Sequence, residues 1–450
     1  MSPPQLFVGS FLLLILLGTV GLKTLPGLYT GDELRWLDAL FTATSAVCVT
    51  GLIVVDTATY FTPAGQAFVL LLIQLGGLGM LTLSTLIILA LGRRLSLRQE
   101  AATTSSFDVI RNLDREALTR NIVLYTLLIE AVGAILLYAL WIPRLGWTGA
   151  LWPAVFHSIS AFCNAGFSTF SDSLMSFQTA PFSLFVIMSL IILGGIGFIT
   201  LEEIYLRRRA RRGDYAFRIS IHSRIVLATT GLLVFGGSIL FTLFEWTVTL
   251  AELPIWAKLL NGLFMSVTAR TAGFNAIDYS QAADSSNFLT ILLMSVGGSP
   301  GSTAGGLKTT TVAIICLLAW SRFRGVETTS IWGRTIPEET IQRAIGLFVM
   351  VFGLVTLAIF IFTSTEIGRV PHLQAGGSFL RYMFEAASAF NTVGLSMGVT
   401  ADLSTPGRWL TILLMYVGRV GPLTFAAAIA LRRNPIGGKF RFGYEDVVVG

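Results

Sequence analysis

The sequence predicts an all-α integral membrane fold, with eight transmembrane helices grouped as four repeats of helix, re-entrant loop and helix (M1-P-M2) about a pseudo-fourfold axis. Three observations carry that reading. The 450 residues are 54% hydrophobic and 12% charged, with a mean hydropathy of +0.74, so lipid is the solvent for much of the surface. Apolar stretches long enough to span a bilayer, about 20 residues each, recur from end to end. Two short motifs also recur four times in the same order, roughly 110 residues apart, which signals internal repetition.

Eight candidate spans follow from the apolar runs: Gln5 to Leu25, Ala64 to Leu91, Asn121 to Trp141, Pro181 to Leu206, Ser223 to Phe244, Phe288 to Trp320, Ile341 to Phe362 and Gly407 to Leu431. The first lacks the basic start and small-residue cleavage site of a secretory signal, so it reads as a membrane helix. The spans pair into repeats at approximately 1–98, 115–213, 218–325 and 336–433, in a single membrane domain covering 1–450 with a tail from 434 to 450.

Arginines follow the second member of every pair: Arg93 and Arg94; Arg207, Arg208, Arg209, Arg211 and Arg212; Arg322 and Arg324; Arg432 and Arg433. By the positive-inside rule these four ends and both termini are cytoplasmic, and the linkers within pairs face outward. The net charge of +6 is thereby explained by topology signals and lipid-facing anchors; no nucleic-acid groove is indicated.

Each outward linker holds a semi-apolar segment too short to span. The four read Phe41-TATSAVCVTGL-Ile53, Phe156-HSISAFCNAGF-Ser168, Phe264-MSVTARTAGF-Asn275 and Phe384-EAASAFNTVGL-Ser396. The third is one residue shorter between its Phe and its Gly. Non-helical backbone at membrane depth survives only where protein buries it or water reaches it, so four such loops about one axis imply a ring around a pore. A short helix at about Leu37 to Ala46 would aim its negative C-terminal dipole inward and favour a cation. Extended residues after it can offer carbonyl oxygens in place of a hydration shell. Gly51, Gly166, Gly273 and Gly394 would supply positive φ. The expected ion ligands are the backbone carbonyls around Val49, Thr50 and Gly51; Asn164, Ala165 and Gly166; Thr271, Ala272 and Gly273; and Thr392, Val393 and Gly394.

The second motif reads Gly76-Gly77-Leu78-Gly79, Gly194-Gly195-Ile196-Gly197, Gly297-Gly298-Ser299-Pro300-Gly301 and Gly418-Arg419-Val420-Gly421. Such glycines serve close packing or pore lining, and composition does not choose between them. Arg419 puts a fixed charge near mid-membrane, where it must face protein or water. The third copy opens the run GGSPGSTAGGLKTTT, Gly297 to Thr311, which breaks its helix in the middle.

The four loops, the glycine-rich helices and that run resemble the KtrB/TrkH/HKT superfamily of potassium transporters. The absence of an extra N-terminal helix pair makes KtrB the nearer likeness. The resemblance covers the whole chain and implies potassium uptake through a gated channel-like pore in a bacterial plasma membrane. It further implies a homodimer with one pore per subunit and a cytosolic KtrA-like ring that carries the regulatory nucleotide, this chain having no cofactor. By the same likeness Gly297, Gly298, Ser299, Pro300, Gly301, Ser302, Thr303, Ala304, Gly305 and Gly306 form an intramembrane gate, with Lys308 at its cytoplasmic side. Arg419 is then the pore-lining arginine that contacts the gate, and the tail packs at the dimer interface. Each loop has one glycine where a potassium-channel filter has two, with Ile53, Ser168, Asn275 and Ser396 in the other place, so sodium or mixed-cation conduction stays open.

Other classes fit less well. A membrane-embedded enzyme needs a nucleophile with a base, or a ligand cluster, whereas glycines are what repeat here. A rocking transporter usually has inverted repeats, and these four share one orientation. Cys48, Cys163 and Cys316 form no closely spaced ligand pair and read as small hydrophobes. His157 and the scattered His222 and His372 read as packing or interface residues, and Glu130 and Glu385 as functional or hydrogen-bonded structural acids. Arg270, beside the third loop, reads as an anchor, since a charge on the axis would oppose conduction.

Overall fold

The computed structural model describes residues 3–96, 115–210, 219–368, 371 and 374–422. The expected tail, His372 and the Arg432–Arg433 pair lie outside them. The described chain is mainly helical, with one small hairpin, β1 (Ser330–Ile331) and β2 (Arg334–Thr335).

The first group contains α1 (Pro3–Thr24), α2 (Trp36–Val47), the short α3 (Thr57–Tyr60) and α4 (Pro63–Ser96). Then come α5 (Arg115–Cys163), α6 (Pro181–Ile196) and α7 (Phe198–Ala210), followed by α8 (Ile221–Glu245), α9 (Ile255–Thr268), α10 (Asp284–Met294) and α11 (Thr309–Phe323). The last group is α12 (Glu338–Phe362), α13 (Ser378–Phe390) and α14 (Thr405–Val420).

Leu232, Phe235, Ile239 and Leu243 form an exposed apolar stripe on α8, and Val349, Phe352 and Phe360 stand exposed on α12. A soluble helix buries such a stripe; here it faces outward, as lipid requires. Five helices are long and apolar enough to cross a membrane among the described residues: α1, the start of α4, α5, α8 and α12. The pair α6 and α7 makes a sixth if its 101° bend is taken within one span.

The remaining expected spans differ from continuous helices for local reasons. The run from Asn121 to Trp141 continues in α5 to Cys163, through a non-helical Gly146 at φ 75° with Pro143 before it and Pro153 after it. The run from Pro181 to Leu206 turns at Gly197, φ 89°. The run from Phe288 to Trp320 divides into α10 and α11, as the glycine-rich insertion predicts. α14 stops at Val420 before Gly421, φ 87°. A right-handed helix cannot carry these positive φ values.

The packing order is cyclic. α4 lies against α5, α6 against α9, α10 against α13, and α14 returns to α2. The last contact is tied by an ion pair between Arg408 of α14 and Asp38 of α2. One apolar core includes Phe41, Val47, Phe390 and Met415 of the first and last groups; a second includes Phe264, Phe274 and Ile187 of the middle two.

Candidate ion-binding ring and intramembrane segment

α2 covers the expected short helix, starting from extended Arg35 with Asp38 in its first turn. A carboxylate there complements the helix dipole. α9, α13 and the last part of α5 end before the other three loops. In each loop the residue two before the glycine has positive φ: Val49 (55°), Asn164 (59°), Thr271 (69°) and Thr392 (51°). The glycines follow at 93°, 71°, 83° and 95°, and the residue between does not share this conformation. Alternating handedness turns successive peptide planes to the same side, which an ordinary extended strand does not do.

The four loops meet in a closed order. A Cβ placed on Gly51 would lie 2.4 Å from the Ala165 carbonyl oxygen, and one on Gly166 2.8 Å from that of Ala272. One on Gly273 would lie 2.3 Å from the Val393 oxygen, and one on Gly394 2.1 Å from that of Thr50. Glycine is therefore required twice over, by its φ and by the neighbouring loop's backbone. The Oγ1 atoms of Thr50, Thr271 and Thr392 are buried without a hydrogen-bond partner among the described residues. A backbone ring with unspent hydroxyl groups suits a weakly hydrated cation or its water.

A hydroxyl in each loop was missed in the sequence, although it stands in the repeated motif. Ser45 Oγ accepts from Gly51 N at 3.1 Å, and Ser388 Oγ from Gly394 N at 3.1 Å. Ser160 Oγ donates to Phe167 O at 2.8 Å, and Thr268 Oγ1 to Phe274 O at 2.6 Å. These bonds also locate the missing residue of the third loop. Thr268 matches the serines and Thr271 matches the positive-φ position, so the deletion falls between them, at the helix end.

The glycines of the second motif sit where helices touch backbone. A Cβ on Gly76 would lie 2.0 Å from Val47 O, on Gly194 1.9 Å from Phe162 O, and on Gly418 1.7 Å from Phe390 O. Close packing is thus the observed role at these three positions. Gly77 and Gly195 face Cys163 and Asn164.

The segment between α10 and α11 crosses to the other groups. Ser299 N donates to Gly195 O at 3.0 Å, Thr303 N to Gly194 O at 3.2 Å, and Gly306 N to Gly418 O at 3.3 Å. Phe198 N donates to Gly301 O at 2.9 Å, which fills the gap left by the break at Gly197. Gly305 and Gly306 abut Thr392 and Asn391 of the fourth loop. Arg419, 1% exposed, donates to the carbonyls of Thr303 and, at 3.1 Å, Gly76. Lys308 turns back to the Ala304 carbonyl at 2.5 Å. Buried Ser299, Ser302 and Thr303 spend their hydroxyls on backbone carbonyls.

Among the other candidates, Glu130 accepts from Gln74 Nε2 at 2.9 Å, beside Cys163. Arg270 donates to Gly297 O at 3.4 Å, at the start of the crossing segment, an anchoring contact. His157 and Glu385 each contact a serine beyond a ring glycine.

Residues 12–434 match the family model described as a cation transport protein, TrkH. The chain belongs to the TrkH family. It is 39% identical to a Ktr system potassium uptake protein B of Vibrio alginolyticus, over 95% of this chain and 91% of that one. It is 38% identical to the potassium/sodium uptake protein NtpJ of Enterococcus hirae, over 100% and 98%. A crystal structure of the potassium transporter TrkH from Vibrio parahaemolyticus superposes with a TM-score of 0.70 at 19% identity, covering 93% of this chain and 84% of that one, which shows the shared fold. TrkH-family proteins are membrane transporters and not enzymes, so the membrane-embedded enzyme reading falls.

Proposed function

We propose that this TrkH-family chain takes up potassium across a bacterial plasma membrane through a gated pore. The carrying observation is the closed order of the four glycine loops, each glycine against the next loop's carbonyl. In this reading the chain is one membrane domain of four M1-P-M2 repeats and eight spans, α10–α11 and the expected run from Gly407 to Leu431 completing the count. The carbonyls of Val49, Thr50, Gly51 and their counterparts at 164–166, 271–273 and 392–394 replace part of the ion's hydration shell. Residues Gly297 to Gly306, with Lys308 and Arg419, close the path below that ring.

The relatives named as Ktr potassium uptake proteins support the choice of ion and a multi-component system. We assign a homodimer, with the tail at its interface, working with a KtrA-like cytosolic ring that binds the nucleotide. Both termini are cytoplasmic, following the arginine runs. A second reading, sodium or mixed-cation conduction by the same architecture, is favoured by the relative named for potassium and sodium uptake.

The test is rubidium entry into liposomes holding the purified protein, competed by potassium or sodium, for wild type and a folded Gly273→Ser variant. Potassium competing far better than sodium, with that preference lost in the variant, is the expected outcome. Equal competition in the wild type would leave the mixed-cation reading.

A further inference from the structure

Two equivalent positions in the repeats interact in a way that the glycine ring does not require. The residue after the motif phenylalanine is Thr42, His157, Met265 or Glu385, and the residue two past the ring glycine is Ile53, Ser168, Asn275 or Ser396. In repeats 2 and 4 these positions bond directly. His157 Nε2 lies 2.9 Å from Ser168 Oγ, and Glu385 Oε2 accepts from Ser396 Oγ at 2.9 Å. Each serine also accepts from the N–H two residues on, Phe170 at 2.9 Å and Gly398 at 3.1 Å.

The proton assignments are fixed by chemistry. His157 Nδ1 lies 2.8 Å from the Pro153 carbonyl, which can only accept. Nδ1 therefore carries the hydrogen, and in the neutral ring Nε2 accepts from Ser168. Glu385 holds a second hydroxyl, Thr400 Oγ1, at 2.5 Å. Both His157 and Glu385 are 0% exposed. Burying a carboxylate is expensive unless its oxygens are engaged, and a serine already turned on its own backbone needs no such partner to fold. Two unrelated side chains thus reach the same target from the same repeat position.

The other two repeats differ. Asn275 is held by the neighbouring loop through Ser173 and Leu174, whereas Ile53 is apolar and 38% exposed. Because the ring runs in the order 1, 2, 3, 4, the two braced loops stand across it from each other.

We propose that His157 and Glu385 are positioning residues that brace opposite loops of the ring through Ser168 and Ser396, and so set its discrimination between cations. The serines occupy the place of a channel filter's second glycine, and the braces do the stiffening there. The proposal rests on the reading of the loops as the ion-binding ring.

The experiment is the rubidium competition assay on Glu385→Ala, Glu385→Gln, Ser396→Ala, His157→Ala and Ser168→Ala, with Thr42→Ala as the unbraced control. The potassium-to-sodium competition ratio, or the rubidium KM if the wild type competes equally, is expected to change at least fivefold in Glu385→Ala and Ser396→Ala. Maximal entry should stay within threefold of wild type, and Glu385→Gln should retain most of the ratio by accepting one hydroxyl. Glu385→Ala combined with Ser396→Ala should be no worse than Glu385→Ala alone, because that variant already removes the shared contact, while adding His157→Ala should change the ratio further. An unchanged ratio in folded Ser396→Ala and Glu385→Ala, with Gly273→Ser losing the preference, overturns the brace alone. If Gly273→Ser also changes nothing, the ring reading itself has failed. Should Glu385→Ala not fold, Ser396→Ala decides.

Discussion

Arg419→Ala tests the closure below the ring. The guanidinium spans from the Thr303 carbonyl of the crossing segment to the Gly76 carbonyl of α4, so under the proposed gating it joins two parts that separate when an ion passes. Hydrogen bonds from charged donors contribute about 1.5–3 kcal/mol each. Part of that is returned when the freed carbonyls meet water, leaving a net of about 1–3 kcal/mol for the pair. As a change in the closed-to-open balance this is roughly 5- to 150-fold. The fold should survive, because the substitution also removes a buried charge that costs about 2.5–3.5 kcal/mol at mid-membrane. Initial rubidium entry into liposomes, normalised to folded protein, is expected to rise by at least about fivefold. Arg419→Lys should fall between, since an ammonium lacks the planar fork that serves both carbonyls. A folded Arg419→Ala with unchanged or slower entry would refute the latch.

Three other outcomes follow from the same geometry. Gly394→Ala must accommodate φ 95° and a Cβ 2.1 Å from Thr50 O, a combined strain of about 2–5 kcal/mol, and should abolish cation preference in the competition assay. Gly76→Ala, whose Cβ would meet Val47 O at 2.0 Å, should lower the melting midpoint in detergent by several degrees. Arg408→Ala breaks the tie between α14 and α2; with side chains only 20% and 13% exposed it strands a largely buried carboxylate, so the loss should exceed the roughly 1 kcal/mol of a surface pair, and an unchanged midpoint would contradict that.

The four glycine loops were legible because their contact acts on individual residues. A positive φ beside a neighbour's carbonyl admits glycine at Gly51, Gly166, Gly273 and Gly394, so the constraint is printed in the sequence. The breaks at Gly197 and Gly421 were not legible, since apolar residues run straight through both and hydropathy reports solvent, not direction. The order in which loops abut is a tertiary fact with no local signature. His157 and Glu385 escaped notice as equivalents because the repeats put different chemistry at one position, and only the shared serine target relates them.

The third repeat is where the symmetry gives way, and its shortened loop supplies the reason. In the other three repeats a motif glycine lets a helix pass against the last helical carbonyls of Val47, Phe162 and Phe390. The deletion between Thr268 and Thr271 removes one residue from that stretch, and the matching glycine, Gly297, faces Gly305 and Leu307 of its own segment instead. The backbone clamp that holds the other helices is therefore missing where α10 ends. Arg270, 8% exposed, fills the place with its bond to Gly297 O. A side chain can let go at lower cost than packed backbone, which suits the gate proposed for this segment. Arg270→Ala should then raise rubidium entry while leaving the potassium-to-sodium ratio near that of wild type, because the substitution frees the segment and not the ring. Loss of the ratio with entry unchanged would instead assign Arg270 to the ring itself.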